Sequence, residues 1–105
     1  MKELLKKLTQ AYGPSGSEEI VRDIIRDEIK AYVDEIKVDV LGNLIAVKKG
    51  SGMKVMLAAH MDQIGFIVTH IDDKGFLRFS RVGGISAGNS INRRVIFKNG
   101  VTGVI

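Results

Sequence analysis

Cysteine is absent from this chain of 105 residues, which excludes a disulfide framework and any thiolate metal site. Aromatic residues are scarce, with four phenylalanines, two tyrosines and no tryptophan. The cations stand singly along the chain rather than interleaved with aromatic rings, so a base-stacking nucleic-acid surface is not expected. No apolar run approaches the length of a membrane span. The N-terminus is charged and amphipathic, unlike a basic segment followed by an apolar one, so a signal peptide is not expected and a cytoplasmic location is the default. Clustered acids are also missing. Asp72-Asp73 belongs to a turn pattern and most other acids to helices, so nothing offers the two carboxyls that flank a sugar in a glycosidase.

What is present is the composition of an ordinary globular chain, 45% hydrophobic and 27% charged. A chain of this length makes one domain at most and is expected to bury roughly 60 to 70% of its unfolded surface. The net charge of +4 is unevenly divided: residues 1–35 carry six basic and eight acidic side chains, residues 36–105 ten basic and four acidic. The excess cations read as solvated faces and guards on strand edges.

Leu4, Leu5, Leu8, Ala11 and Tyr12 recur at helical spacing and Gly13 offers a stop, which predicts a first amphipathic helix. Gly13-Pro14-Ser15-Gly16-Ser17 is a turn, and Ser15 with Glu18 matches a capping box, with Ser17 as a competing cap. The turn lacks the spacing of a phosphate-binding loop, and two glutamates follow it. A second helix is predicted from about Glu18 to Val33, with Ile20, Val21, Ile24, Ile25 and Ile29 on one face and Glu18–Arg22, Asp23–Arg26 and Asp27–Lys30 as ion pairs. Hairpins follow around Gly42-Asn43, Asp72-Asp73-Lys74-Gly75 and Asn99-Gly100. His70 falls in the strand pattern of the second hairpin and reads as a structural or surface residue.

The chain is organised around Val55-Met56-Leu57-Ala58-Ala59-His60-Met61-Asp62. Five uninterrupted apolar residues predict a strand covered on both faces. Ligands gather beyond the carboxyl ends of such strands, and His60 falls there. A neutral imidazole is the commonest ligand of zinc-like metals and needs a partner on its second nitrogen. Asp62 is close enough in sequence to be that partner. Taken alone, a structural histidine with a capping aspartate remains the alternative reading.

Leu57-Ala58-Ala59-His60-Met61-Asp62-Gln63-Ile64-Gly65, then Asp72-Asp73-Lys74-Gly75-Phe76-Leu77 and Val82-Gly83-Gly84, resemble the tetrahedral metallo-aminopeptidases, whose members have often been labelled endoglucanases or cellulases. Gly13-Pro14-Ser15-Gly16-Ser17-Glu18 and Leu41-Gly42-Asn43-Leu44-Ile45-Ala46 extend the resemblance over essentially the whole chain. It implies an α/β fold: the N-terminal part of a three-layer zinc-peptidase-like domain, two helices and a mixed sheet, over residues 1–65. Residues 66–105 would open a β-barrel domain used for oligomerisation. It implies two divalent ions, zinc or cobalt, with His60 as a metal ligand and Asp62 as the catalytic residue that holds the imidazole or shapes the bound water. Peptide substrates and a homo-oligomer are implied as partners, and neither nucleic acid nor membrane.

The sequence departs from the family pattern at Gln63, where glutamate is usual, and at Ile91-Asn92-Arg93-Arg94, where a Gly-Gln-Arg-Val type stretch is favoured. The family's bridging aspartate, Glu-Glu pair, further aspartate and second histidine lie downstream of anything matched here. The expectation is therefore an N-terminal portion of a dinuclear aminopeptidase that is inactive alone. A non-catalytic binding or assembly module is the alternative, and an endoglucanase a more distant one.

Overall fold

A computed structural model describes all 105 residues. The order is α1 (Lys2–Gln10), α2 (Glu19–Ile29), β1 (Glu35–Val38), β2 (Leu44–Val47), β3 (Gly65–Ile71), β4 (Leu77–Val82), β5 (Arg94–Ile96) and β6 (Thr102–Val104). The chain divides into two compact units, Met1–Asp62 and Gln63–Ile105.

The α/β class is as the resemblance implies and the two helices are as the periodicity predicts, but both helices are shorter. α1 ends at Gln10 because Ala11 turns extended, with φ −71° and ψ 143°, before Gly13 is reached. α2 ends at Ile29, where a tight turn carries the Tyr32 amide to the Ile29 carbonyl at 2.9 Å. Past Ile29 the helical apolar stripe has little to cover, and Tyr32 lies exposed. The ion pairs Asp23–Arg26 and Asp27–Lys30 form at 3.1 Å each, and Lys7 of α1 reaches Glu28 of α2 at 2.9 Å. Such exposed pairs are screened by water and salt and add little to stability. The capping box does not form: no side chain caps α2, and Glu18 Oε1 instead accepts the Gly16 amide at 2.6 Å.

The strands pair as three separate antiparallel hairpins, β1 with β2, β3 with β4 and β5 with β6. All three close with the same loop. The residue that opens it pairs its amide with the carbonyl four residues on, while the amide of a glycine three residues on returns to the opening carbonyl, at Asp39/Gly42/Asn43, Asp72/Gly75/Phe76 and Phe97/Gly100/Val101. Each glycine has φ between +83° and +88°, a conformation that a Cβ would disfavour. Asp39 and Asp72 brace their loops further, each Oδ1 accepting two backbone amides. The Asn99-Gly100 pair thus serves a three-residue loop with a left-handed glycine rather than a two-residue turn. In β3 a bulge falls between Val68 and His70, and His70 lies opposite Arg78 on the surface. Asn92, within the stretch that departs from the family pattern, takes φ 61° and donates its amide to the Ile105 carbonyl at 2.8 Å. Asparagine tolerates that region better than most residues.

The expected mixed sheet and the buried strand at Val55–Ala59 require correction. The run is not in a strand, and its side chains are exposed, Leu57 at 93%. Nothing among the 105 residues offers it a partner strand or a covering helix, so its backbone has no ladder to join. Every sheet that does form is local in sequence. Val21, 6% exposed on α2, is the one buried hydrophobic residue.

Candidate functional site

Within the first unit Glu18, α2, the β1–β2 loop and residues 59–62 border an open cleft of about 360 Å³. Glu18, His60 and Asp62 supply its ionisable groups, and Ile25, Ile29, Leu41 and Leu44 its apolar wall. The two residues that the sequence singles out therefore line one cleft.

The His60 Nδ1 lies 3.0 Å from Asp62 Oδ1 and 3.1 Å from the Asp62 carbonyl. Both neighbours are acceptors, so Nδ1 carries the proton of the neutral ring and Nε2 keeps its lone pair free. The side chain is 86% exposed, whereas that of Asp62 is 39% exposed. The second carboxylate oxygen, Oδ2, accepts a short hydrogen bond from the Ser15 hydroxyl. Ser15 first, then His60, holds the Asp62 carboxyl below the ordinary carboxylate range. The group is therefore an anion at neutral pH.

Ser15 is the residue whose role the sequence misreads. The S-x-x-E spacing assigns it to a helix cap, yet its hydroxyl reaches 47 residues along the chain to Asp62. Its place between Pro14 and Gly16, where the backbone must turn, was the available signal. The order of groups, hydroxyl to carboxylate to imidazole, differs from a nucleophilic triad, in which the imidazole stands next to the hydroxyl. Ser15 is accordingly a donor to an anion and not an activated nucleophile. No three His, Asp or Glu side chains gather in a way that could hold a metal ion. His60 suits one coordination bond through Nε2, but this chain does not by itself make a complete metal centre.

Against known families, the M42 glutamyl aminopeptidases match residues 42–105. The chain belongs to that family. A protein of Acetivibrio thermocellus described as an aminopeptidase is 65% identical over all 105 residues, which span 32% of its length. The lysyl aminopeptidase of Pyrococcus furiosus is 44% identical over 98% of this chain and 32% of its own. Among solved structures, a Thermotoga maritima protein described as an endoglucanase superposes with TM-score 0.88 at 43% identity, over 95% of this chain and 32% of that one. The Pyrococcus horikoshii TET1 peptidase, which can assemble into a tetrahedron or a large octahedral shell, gives 0.81 at 44% identity over 94% and 30%. This M42 chain thus spans about a third of the relatives it matches. The α/β arrangement of helices and small antiparallel sheets is that of the TET aminopeptidases.

Proposed function

We propose that this chain contributes one metal-binding imidazole and its carboxylate partner to a metal-dependent aminopeptidase that removes N-terminal residues from peptides. The observation that carries the reading is the 3.0 Å contact of His60 Nδ1 with Asp62 Oδ1. A carboxylate on one ring nitrogen orients the other toward a metal and raises its basicity. In this reading His60 is a ligand to one of two divalent ions, zinc or cobalt, and Asp62 is the catalytic residue that holds it. The ions would supply a polarised water and a Lewis acid for the scissile carbonyl. What this chain's own residues do is hold the imidazole in one tautomer and keep an anion beside it. The remaining ligands and the general base would come from outside the 105 residues, so the chain alone is inactive.

Two further parts of the reading rest on family membership. Residues 1–65 would belong to the catalytic domain and residues 66–105 to a β-barrel that joins subunits, in keeping with the assembling Pyrococcus horikoshii relative. The unpaired edges of β3 to β6 would make the isolated chain self-associate. The place of action would be the cytoplasm. An endoglucanase is disfavoured by the cleft itself. A glycosidase acid needs a raised pKa, whereas Asp62 is shifted downward by the Ser15 hydroxyl and His60.

The test is a chimera in which this chain replaces the matching stretch of the Acetivibrio thermocellus relative. The chimera should release N-terminal residues in a chelator-sensitive way, while the 105-residue chain should not with either zinc or cobalt. In the chimera His60→Ala should empty one metal site by elemental analysis, and Asp62→Asn should weaken binding or turnover about 10- to 100-fold. Full metal content and activity after His60→Ala would refute the ligand assignment. Chelator-sensitive peptide hydrolysis by the 105-residue chain would refute the shared-site reading.

A further inference from the structure

We propose that Ser15 is a positioning residue for His60, acting through Asp62, and that the Gly13–Glu18 turn holds it in place. The inference deepens the reading of His60 as a metal ligand and borrows its purpose from it. Its geometry stands apart from any metal.

A carboxylate held at one oxygen is free to swing about its terminal torsion, which is broad and roughly two-fold. Asp62 is 39% exposed, so water competes for that oxygen. The Ser15 hydroxyl on Oδ2 fixes the second oxygen, and with it the plane in which Oδ1 meets His60 Nδ1. The turn in its own right is braced. The Gly16 amide donates to Glu18 Oε1 at 2.6 Å and the Ser17 amide to the Pro14 carbonyl at 2.8 Å.

Gly13 sets the distance between the turn and its neighbours. A Cβ there would come 2.5 Å from Val21 Cγ2 and 4.0 Å from the Met61 carbonyl oxygen. The missing side chain therefore lets the turn lie against α2 and beside the segment that carries His60 and Asp62. The sequence Gly13-Pro14-Ser15-Gly16 with Glu18 has one coherent purpose in this arrangement. The glycine gives close approach, the serine the tether, and the glutamate the brace.

The consequence is a tautomer. An imidazole without partners prefers its proton on Nε2, which would block coordination there. The Asp62 contact draws the proton to Nδ1, and Ser15 makes that contact persistent. The 105-residue chain can be tested directly by long-range ¹H–¹⁵N correlation of its two histidine rings at about pH 8.5, where an ordinary imidazole is neutral. His70, exposed on β3, is the internal control.

His60 should be mainly Nδ1-protonated in the unmodified chain, and Ser15→Ala should shift its tautomer ratio toward Nε2 by about three- to tenfold, as loss of one hydrogen bond implies. Ser15→Thr should restore the unmodified ratio, and His70 should not respond to any variant. An Nε2-protonated majority on His60 in the unmodified chain overturns the proposal without recourse to variants. So does a Ser15→Ala ratio equal to the unmodified one. Should Ser15→Ala lose α2, as read from amide signals in the same sample, Ser15→Thr and Ser15→Val decide, being equal in volume. A shift in the valine variant alone supports the tether, and the same ratio in both refutes it. Failure of the chimera to bind metal would sink the ligand role and leave this result standing. An unmoved tautomer would sink the tether and leave the ligand role untouched.

Discussion

Leu57→Ala in the 105-residue chain should leave its stability unchanged to within about 0.5 kcal/mol. By its sequence neighbourhood Leu57 sits in the middle of an apolar run, where the same change in a packed core would cost about 2–5 kcal/mol. The structure decides between these figures, because the side chain is 93% exposed and has almost no covered surface to lose. Val21 provides the contrast. It is 6% exposed, and removing two methyl groups there should cost about 1–2 kcal/mol at about 0.8 kcal/mol per buried carbon.

Urea unfolding followed by helical ellipticity, at a concentration where sedimentation shows monomer, measures both changes on one scale. A loss of about 2 kcal/mol or more for Leu57→Ala under those conditions would mean that the run packs within the chain, and the exposed segment would be a wrong description. A loss that appears only at high protein concentration would locate the cover in a second copy, since association stabilises by mass action. In the chimera with the Acetivibrio thermocellus relative the same substitution should rise into the core range of about 2–5 kcal/mol, because the alternation-free run is built to be covered on both faces.

Gly13→Ala should destabilise the chain by about 1–2 kcal/mol, since its Cβ would sit 2.5 Å from Val21 Cγ2, and the Val21→Ala background should relieve part of that cost. Additivity of the two changes to within about 0.5 kcal/mol would show that they do not touch. Asp62 supplies a pH prediction. Its folded pKa is depressed, chiefly by the Ser15 hydroxyl and then by His60, so its contribution is fully present above the unfolded value of about 3.9 and is lost as pH falls through the lower folded value. Carboxyl ¹³C titration should therefore place Asp62 below an ordinary aspartate, and Ser15→Ala should raise it. A midpoint indifferent to Ser15 would contradict the tether.

The parts of the fold legible in the sequence are those decided within a few residues. All three hairpins could be placed from Gly42, Gly75 and Gly100, because each loop needs one left-handed residue and two of them open on an aspartate that ties down its own amides. The helical stripe was equally plain, but its end was not. α2 stops at Ile29 although Val33 continues the spacing, since periodicity records which residues could pack and not what is present to receive them. The candidate site divides in the same way. His60 and Asp62 are two residues apart, and their contact follows from spacing. Ser15 is 47 residues from Asp62, and a local motif with a respectable cap pattern concealed it.

The surface area ties these observations together. The chain exposes 8941 Å², whereas a folded protein of its 11.5 kDa exposes about 5,800 Å². Treating residues 1–62 and 63–105 as independently folded units raises that reference only to about 7,000 Å². With that excess of roughly 2,000 Å² or more go exposed large apolar side chains along the chain, Met53, Val55, Met56 and Leu57 among them. Apolar patches beyond a few hundred Å² signal an interaction surface. His60 and Asp62 have their internal partners while the apolar run that leads into them does not. The His60–Asp62–Ser15 contacts are in place within the chain, while its longest apolar segment lies exposed. That is the division expected of a chain that spans about a third of its M42 relatives. The Leu57 measurement in two lengths of protein tests whether that segment becomes covered in the longer one.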